Sequence, residues 1–254
     1  MSHARTRLTR LGAVALASGA TLGAVAGTAG GATPGSSGNS GASAVPATLA
    51  GIKTKATTDI TDRVNDLNAA IAKVNAAKGL GASQATLVSY LGTDSAPLQQ
   101  LNQTIQGDST LQQAAHDFGT IFSDYRVYRL VLPAAHIAAD AAHAATSAIP
   151  NLTADAAKAL GRVNAANQAT LQPLVDDLNS QISTATNATD GVAATVLAFT
   201  PAQWNGDNAL LNASTSSDQT ASGALEKGRA DVTQIVQDLK ADHAAATSTT
   251  TTTG

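Results

Sequence analysis

Between residues 52 and 74 the apolar side chains recur at spacings of three or four. Ile52, Ala56, Ile60, Val64, Leu67, Ile71 and Val74 fall on one line. That period places them on a single stripe of an α-helix, whereas a strand would scatter them over both faces. A helix with such a stripe must bury it against other helices, as in a bundle or coiled coil. The seam is best marked from Thr58 to Lys78 and extends back through Ile52 and Ala56. Gly79-Leu80 is a stop signal, because glycine takes the left-handed backbone and Leu80 folds back onto the last turn.

The same period continues along the chain. Ser83 is placed to cap a helix carrying Leu87, Leu91, Leu98, Leu101 and Ile105, broken between Gly92 and Pro97 and restarted by Ser95. Gly107-Asp108-Ser109 makes the next turn. A long helix is expected from Leu111 to about Ser147, kinked at Pro133, where proline removes a donor and meets the carbonyl of Arg129. Pro150-Asn151 should end it, and Thr153 should cap the next helix. Leu160, Val163, Asn167, Leu171, Leu174, Leu178 and Ile182 read as one seam. Its mean period of about 3.67 predicts a straight or slightly right-handed path. Thr200-Pro201 has the order of a cap and a first helical residue. Leu225, Gly228, Val232, Ile235 and Leu239 mark the last helix, with Gly228 permitting close approach.

Composition agrees with this pattern once the residues are placed. Alanine supplies 55 of the 254 residues, about half of the apolar fraction. Aromatic residues are 3 % of the chain, too few for a β-sandwich. The formal charge of −3 lacks the basic excess of a nucleic-acid binder. The absence of cysteine excludes disulfide scaffolds, thiolate metal sites and thiol nucleophiles. The expected fold is all-α, an elongated antiparallel bundle of about five to six helices with disordered ends. Short turns at Gly79–Gly81, Gly107–Ser109 and Pro150–Asn151 imply antiparallel neighbours.

The ends read differently from the middle. Arg5, Arg7 and Arg10 precede a weakly apolar stretch from Leu11 to Ala26, and small residues follow at Ala24-Val25-Ala26 and Gly27-Thr28-Ala29. This is the pattern of a secretory signal over residues 1–29. Residues 30–46 are a Gly, Ser, Ala, Thr and Pro leader, 47–243 the helical domain, and 244–254 a Thr-rich tail. The expected location is the cell envelope or the extracellular space, with no membrane span after cleavage of the signal.

Chemistry-bearing residues are concentrated in one segment. Phe118, Phe122, Tyr125 and Tyr128 hold more than half of the aromatic side chains and cover too wide an arc for a surface helix. They fill the bundle core, or they line a groove beside Pro133 in which Phe122, Tyr125, Arg126 and Tyr128 bind an apolar ligand. Arg126 and Arg129 sit in this apolar run and need partners, for which Asp62, Asp66, Asp124, Asp176 and Asp231 are candidates. His136, Asp140 and His143 are spaced to share one helix face, the stereochemistry of a weak metal site, although no H-E-x-x-H motif accompanies them. A catalytic set is not visible: there is a single glutamate, Glu226, and no nucleophile elbow. No cofactor is expected.

Asp124-Tyr125-Arg126-Val127-Tyr128, with Leu130, Pro133, His136 and Asp140 following, resembles a segment of secreted, alanine-rich helical proteins of actinobacteria. The resemblance implies export and an all-helical fold, and brings no active site with it. The leading expectation is a non-enzymatic envelope or extracellular module that contacts a protein or cell-wall component, with helix-mediated self-association as a further contact. The alternative is a carrier of a small apolar ligand.

Overall fold

The structure is a computed structural model that describes residues 46–249, with side chains through residue 245. The expected signal, nearly all of the leader and the last residues of the tail lie outside the described residues. The described chain is an all-α bundle. Among the described residues no helix is long and apolar enough to cross a membrane.

Helix α1 spans Leu49–Ala76 and buries Ile52, Ala56, Ile60, Val64, Leu67 and Val74, the stripe read from the spacing. Thr48 caps it in extended backbone, its hydroxyl accepting from the Gly51 amide at 3.1 Å. The helix ends as expected: Gly79 has φ +77° and Leu80 is buried. A Cβ on Gly79 would lie 2.8 Å from the Ser147 Cβ. Gly79→Ala is therefore expected to destabilise by about 2 kcal/mol, from left-handed strain and crowding together. Urea unfolding measures it, and an unchanged midpoint would refute the crowding.

Helices α2 (Ser83–Gly92) and α3 (Ser95–Gly107) return antiparallel along α1. Gln84 Nε2 donates to the Val74 and Asn75 carbonyls, while Lys53 Nζ donates to the Gln106 carbonyl at 2.7 Å. Neither Ser83 nor Ser95 caps its helix, contrary to expectation. Ala82 and Asp94 occupy the cap positions in right-handed backbone and make no side-chain cap bond, because a cap bond needs the extended backbone seen at Thr48.

Helix α4 spans Leu111–Ser123, capped by Thr110. The long helix expected from Leu111 breaks at Arg126 (φ 46°, ψ 33°), seven residues before the expected kink at Pro133. A π-turn, Val127–Val131, leads into α5 (Leu132–His143), and a second, Ala144–Ala148, leads into α6 (Ile149–Leu160). These segments make one continuous rod. Pro133 and Pro150 each sit in the first turn after a π-turn. The wider i→i+5 closure absorbs the donor that proline lacks. Pro150 therefore does not end the rod, and Thr153 lies inside α6 with its hydroxyl donating to the Ile149 carbonyl at 2.9 Å.

The seam from Leu160 to Ile182 is split by a turn. The Asn167 carboxamide oxygen accepts from the Asn164 amide at 2.8 Å, and α7 begins at Gln168 (Gln168–Thr189). Local side-chain bonds to the backbone outcompete helix continuation there. Gly191 (φ +68°) precedes α8 (Val192–Leu197), and a Thr200–Gln203 capping box starts α9 (Pro201–Gly206) at the expected Thr200-Pro201 pair. Helix α10 spans Asn212–Thr249. It begins before Leu225 and continues past the boundary expected at residue 243, because Ala244, Ala245 and Ala246 extend a helix that is already nucleated.

Helix α10 packs antiparallel to α7. A Cβ at Gly228 would lie 2.8 Å from Leu152 Cδ2 on α6 and 3.5 Å from Leu178 Cδ1 on α7. Leu152, Leu171, Leu178, Leu225 and Ile235 form the large members of this core, with Ala144, Ala148, Ala156, Ala159, Ala185 and Ala224 between them. Small residues let the helix axes approach, so alanine here is close-packed surface.

Candidate functional site

The aromatic segment is organised by an arginine that the sequence reading did not single out. Arg63 on α1 is buried, its guanidinium carbon 4.7 Å from the Phe122 ring centroid and 5.0 Å from that of Tyr128. Its Nη1 donates to the Asp59 carbonyl at 2.7 Å. Phe122 in turn meets Phe118 edge-on at 5.3 Å. The Tyr128 hydroxyl donates to Asp66 at 2.8 Å. Burial first, and then this bond to Asp66, pushes the Tyr128 phenol up to about 12. Phe122 and Tyr128 thus dock the rod onto α1. The signal for Arg63 was legible: it stands three residues after Ile60 and four before Leu67, on the apolar stripe.

The two arginines expected to be buried are placed otherwise. Arg129 is exposed. Arg126 is half-buried and forms no ion pair with an aspartate among the described residues; its Nε donates to the Asn205 side-chain oxygen at 2.6 Å. Asn205 Nδ2 donates back to the Ser123 carbonyl at 3.0 Å, so α9 clamps the break between α4 and the rod. Tyr125 is half-buried, its phenol raised by burial and then by Asp94 and Asp124. The four residues expected to line one ligand site are divided among these separate contacts.

His136 and Asp140 do come together, Nε2 to Oδ2 at 3.4 Å. His143 Nδ1 is 3.2 Å from the Lys78 carbonyl, against the turn that ends α1. Among the described residues no group of three or more His, Asp or Glu side chains is arranged to hold a metal ion. Asp218 on α10 faces Asp140 and His136. Burial raises both carboxyls; Asp140 adds to the rise at Asp218, while His136 opposes it at each and His143 opposes it at Asp140.

Burial likewise raises Asp94 and Asp231, with Asp177 adding at the latter. A raised carboxyl binds its proton more tightly in the folded chain than in the unfolded one. Its stabilising effect is present below the ordinary carboxylate value and is lost as pH rises through the raised one. Each of these groups therefore favours the folded chain less as pH rises above the ordinary carboxylate value of about 4. Asp94→Asn is expected to lessen that loss, read as the melting temperatures of the two proteins across the acidic range; the same pH dependence in both would contradict the burial of Asp94.

The concavity lies further along the rod. Ala138, Ala141, Ala142, Ala145, Thr146 and Ile149 form its floor; Ser83, Thr86 and Leu87 of α2 form one wall. The end of α7 and α8 form the other, from Thr186 to Leu197. The groove has a volume of about 570 Å³, within the range of small-ligand sites. Its origin is local: the floor positions repeat at helical spacing, and Ala138, Ala141, Ala142 and Ala145 leave space that leucine would fill. None of Phe122, Tyr125, Arg126, Tyr128 or Pro133 lines this groove. The alanine face was visible in the sequence, but its failure to close depends on where α2 and α8 cross it. Asp190 is the one formally charged residue of the lining, so no acid–base pair or nucleophile with a base is assembled there.

Compared with known proteins, the chain matches no family model, no curated protein and no solved structure.

Proposed function

We propose that this chain is an exported, non-catalytic helical carrier whose alanine-floored groove holds a small apolar ligand. The observation that carries this reading is the groove itself: concave, with six alanines, Leu87, Ile149 and Leu197 in its lining, and with Ser, Thr, Asn and Asp side chains beside them. A module that docks proteins through an apolar face calls for exposed large side chains. Among the described residues Leu111 is the one large hydrophobic side chain that is exposed. Export rests on Arg5, Arg7 and Arg10 followed by the apolar stretch Leu11–Ala26.

Two measurements test the proposal. Solvent extraction of the purified chain followed by mass spectrometry should release an apolar molecule, and Ala145→Phe should abolish its retention with little change in melting temperature. Ala145 is exposed on the groove floor, so the added ring fills the groove and leaves the core intact. A chain that neither releases a ligand nor binds an apolar fluorescent probe is not a carrier. Protein recovered from the culture medium should begin near Ala29; recovery from the cytoplasm alone, with Met1 retained, would contradict export.

A further inference from the structure

Resting on the groove as a ligand site, we propose that its ligand is a single-chain amphiphile with a protonated amine head. The head meets Asp190 and Asn187 at the rim, and the alkyl chain lies on the alanine floor. Asp190 is the only formally charged side chain of the lining, and no Lys, Arg or His contributes to it. The Asp190 carboxylate takes no hydrogen bond or ion pair from any described residue; only its backbone amide is engaged, donating to the Thr186 carbonyl.

Other rim hydroxyls are already donating. The single Thr146 hydroxyl proton goes to the Gly79 or the Ala142 carbonyl, that of Thr186 to the Ile182 carbonyl, and that of Thr189 to the Ala185 or Thr186 carbonyl. With their protons engaged, these hydroxyls can only accept from a ligand, while the side chains of Asn187 and Asp190 on one wall and of Ser83 and Thr86 on the other make no hydrogen bond among the described residues. An ammonium has three donors and no acceptor, which suits a carboxylate and an amide oxygen on one wall with hydroxyl oxygens on the other. A carboxylate head on the same chain would lie against the charge of Asp190.

Calorimetric titration of the full chain with dodecylammonium, dodecanol and dodecanoate, each below its micelle concentration, tests the assignment. Asp190→Asn and Ala194→Trp are measured beside it; Ala194 is exposed on the groove wall, so tryptophan there fills space without entering the core. One-to-one binding is expected, with the amine on the order of fivefold to tenfold tighter than the carboxylate, since attraction is exchanged for repulsion at a partly solvated charge. Asp190→Asn should reduce that preference to less than about twofold and leave dodecanol binding unchanged. Ala194→Trp should weaken all three ligands.

The outcomes separate the two readings. If all three ligands bind and the carboxylate equals or exceeds the amine, the amine assignment is overturned and the carrier reading stands. If amine binding survives Ala194→Trp undiminished, the attraction belongs to the acidic surface at large and the assignment is overturned. If no ligand binds, the carrier reading fails and takes the assignment with it.

Discussion

Replacing Arg63 by alanine is expected to destabilise the chain by about 3 kcal/mol. The side chain is buried and stacked against the Phe122 and Tyr128 rings at 4.7 and 5.0 Å. Each desolvated cation–ring contact contributes on the order of 1 kcal/mol, and the vacated volume adds a cavity term. In a chain of this size the loss lowers the melting temperature by about 6–12 °C. Arg63→Met separates charge from volume. Methionine keeps most of the packing and makes its own contacts to aromatic rings, so its loss should be about 1 kcal/mol. Equal losses for the two variants would mean that the guanidinium charge, and not the filling of space, holds the rod to α1.

Gly228→Leu should destabilise by a similar amount, about 3 kcal/mol, because overpacking a close helix contact forces the axes apart. A Cβ alone would stand 2.8 Å from Leu152 Cδ2, so the larger side chain must displace α10 from both α6 and α7. Gly228→Ala is the informative companion. It gains about 1 kcal/mol of helix propensity and needs only a movable leucine methyl to give way, so its net effect should be small. If leucine is tolerated as well as alanine, α10 does not pack at this distance. Chemical denaturation of the three proteins decides it.

Arg63 and Arg126 illustrate how far local reading reaches. Both are arginines in apolar surroundings by sequence. Helical spacing puts Arg63 on a buried stripe and the structure keeps it there. Arg126 lies in a run where Asp and Arg alternate with apolar residues, yet its backbone turns left-handed and its side chain reaches Asn205, 79 residues on. No spacing rule connects those two positions; the contact exists only because α9 is packed across the break. The His136, Asp140 and His143 triplet fails for the same kind of reason. Its i, i+4 pair is a property of one helix and forms, whereas His143 lies against the end of another.

The prolines divide in the same way. At Thr200-Pro201 the local rule holds, since capping involves only residues three apart. At Pro150 the local rule anticipates a stop, but the helical segment continues through it, with a π-turn before it as before Pro133. Burial of Val127, Leu130, Ala144 and Ala148 favours keeping one continuous element over ending it.

The spacing of apolar residues by itself determined the helical class, the stripe of α1, the stop at Gly79 and the close contact at Gly228, since each follows from periodicity or from the size of a single residue. Tertiary structure alone decided what Arg126 reaches, where the long helix breaks and where a groove remains. An alanine face is compatible with a closed contact or with an open space. The crossing of α2 and α8 over the rod between Ala138 and Ile149 selects the open one.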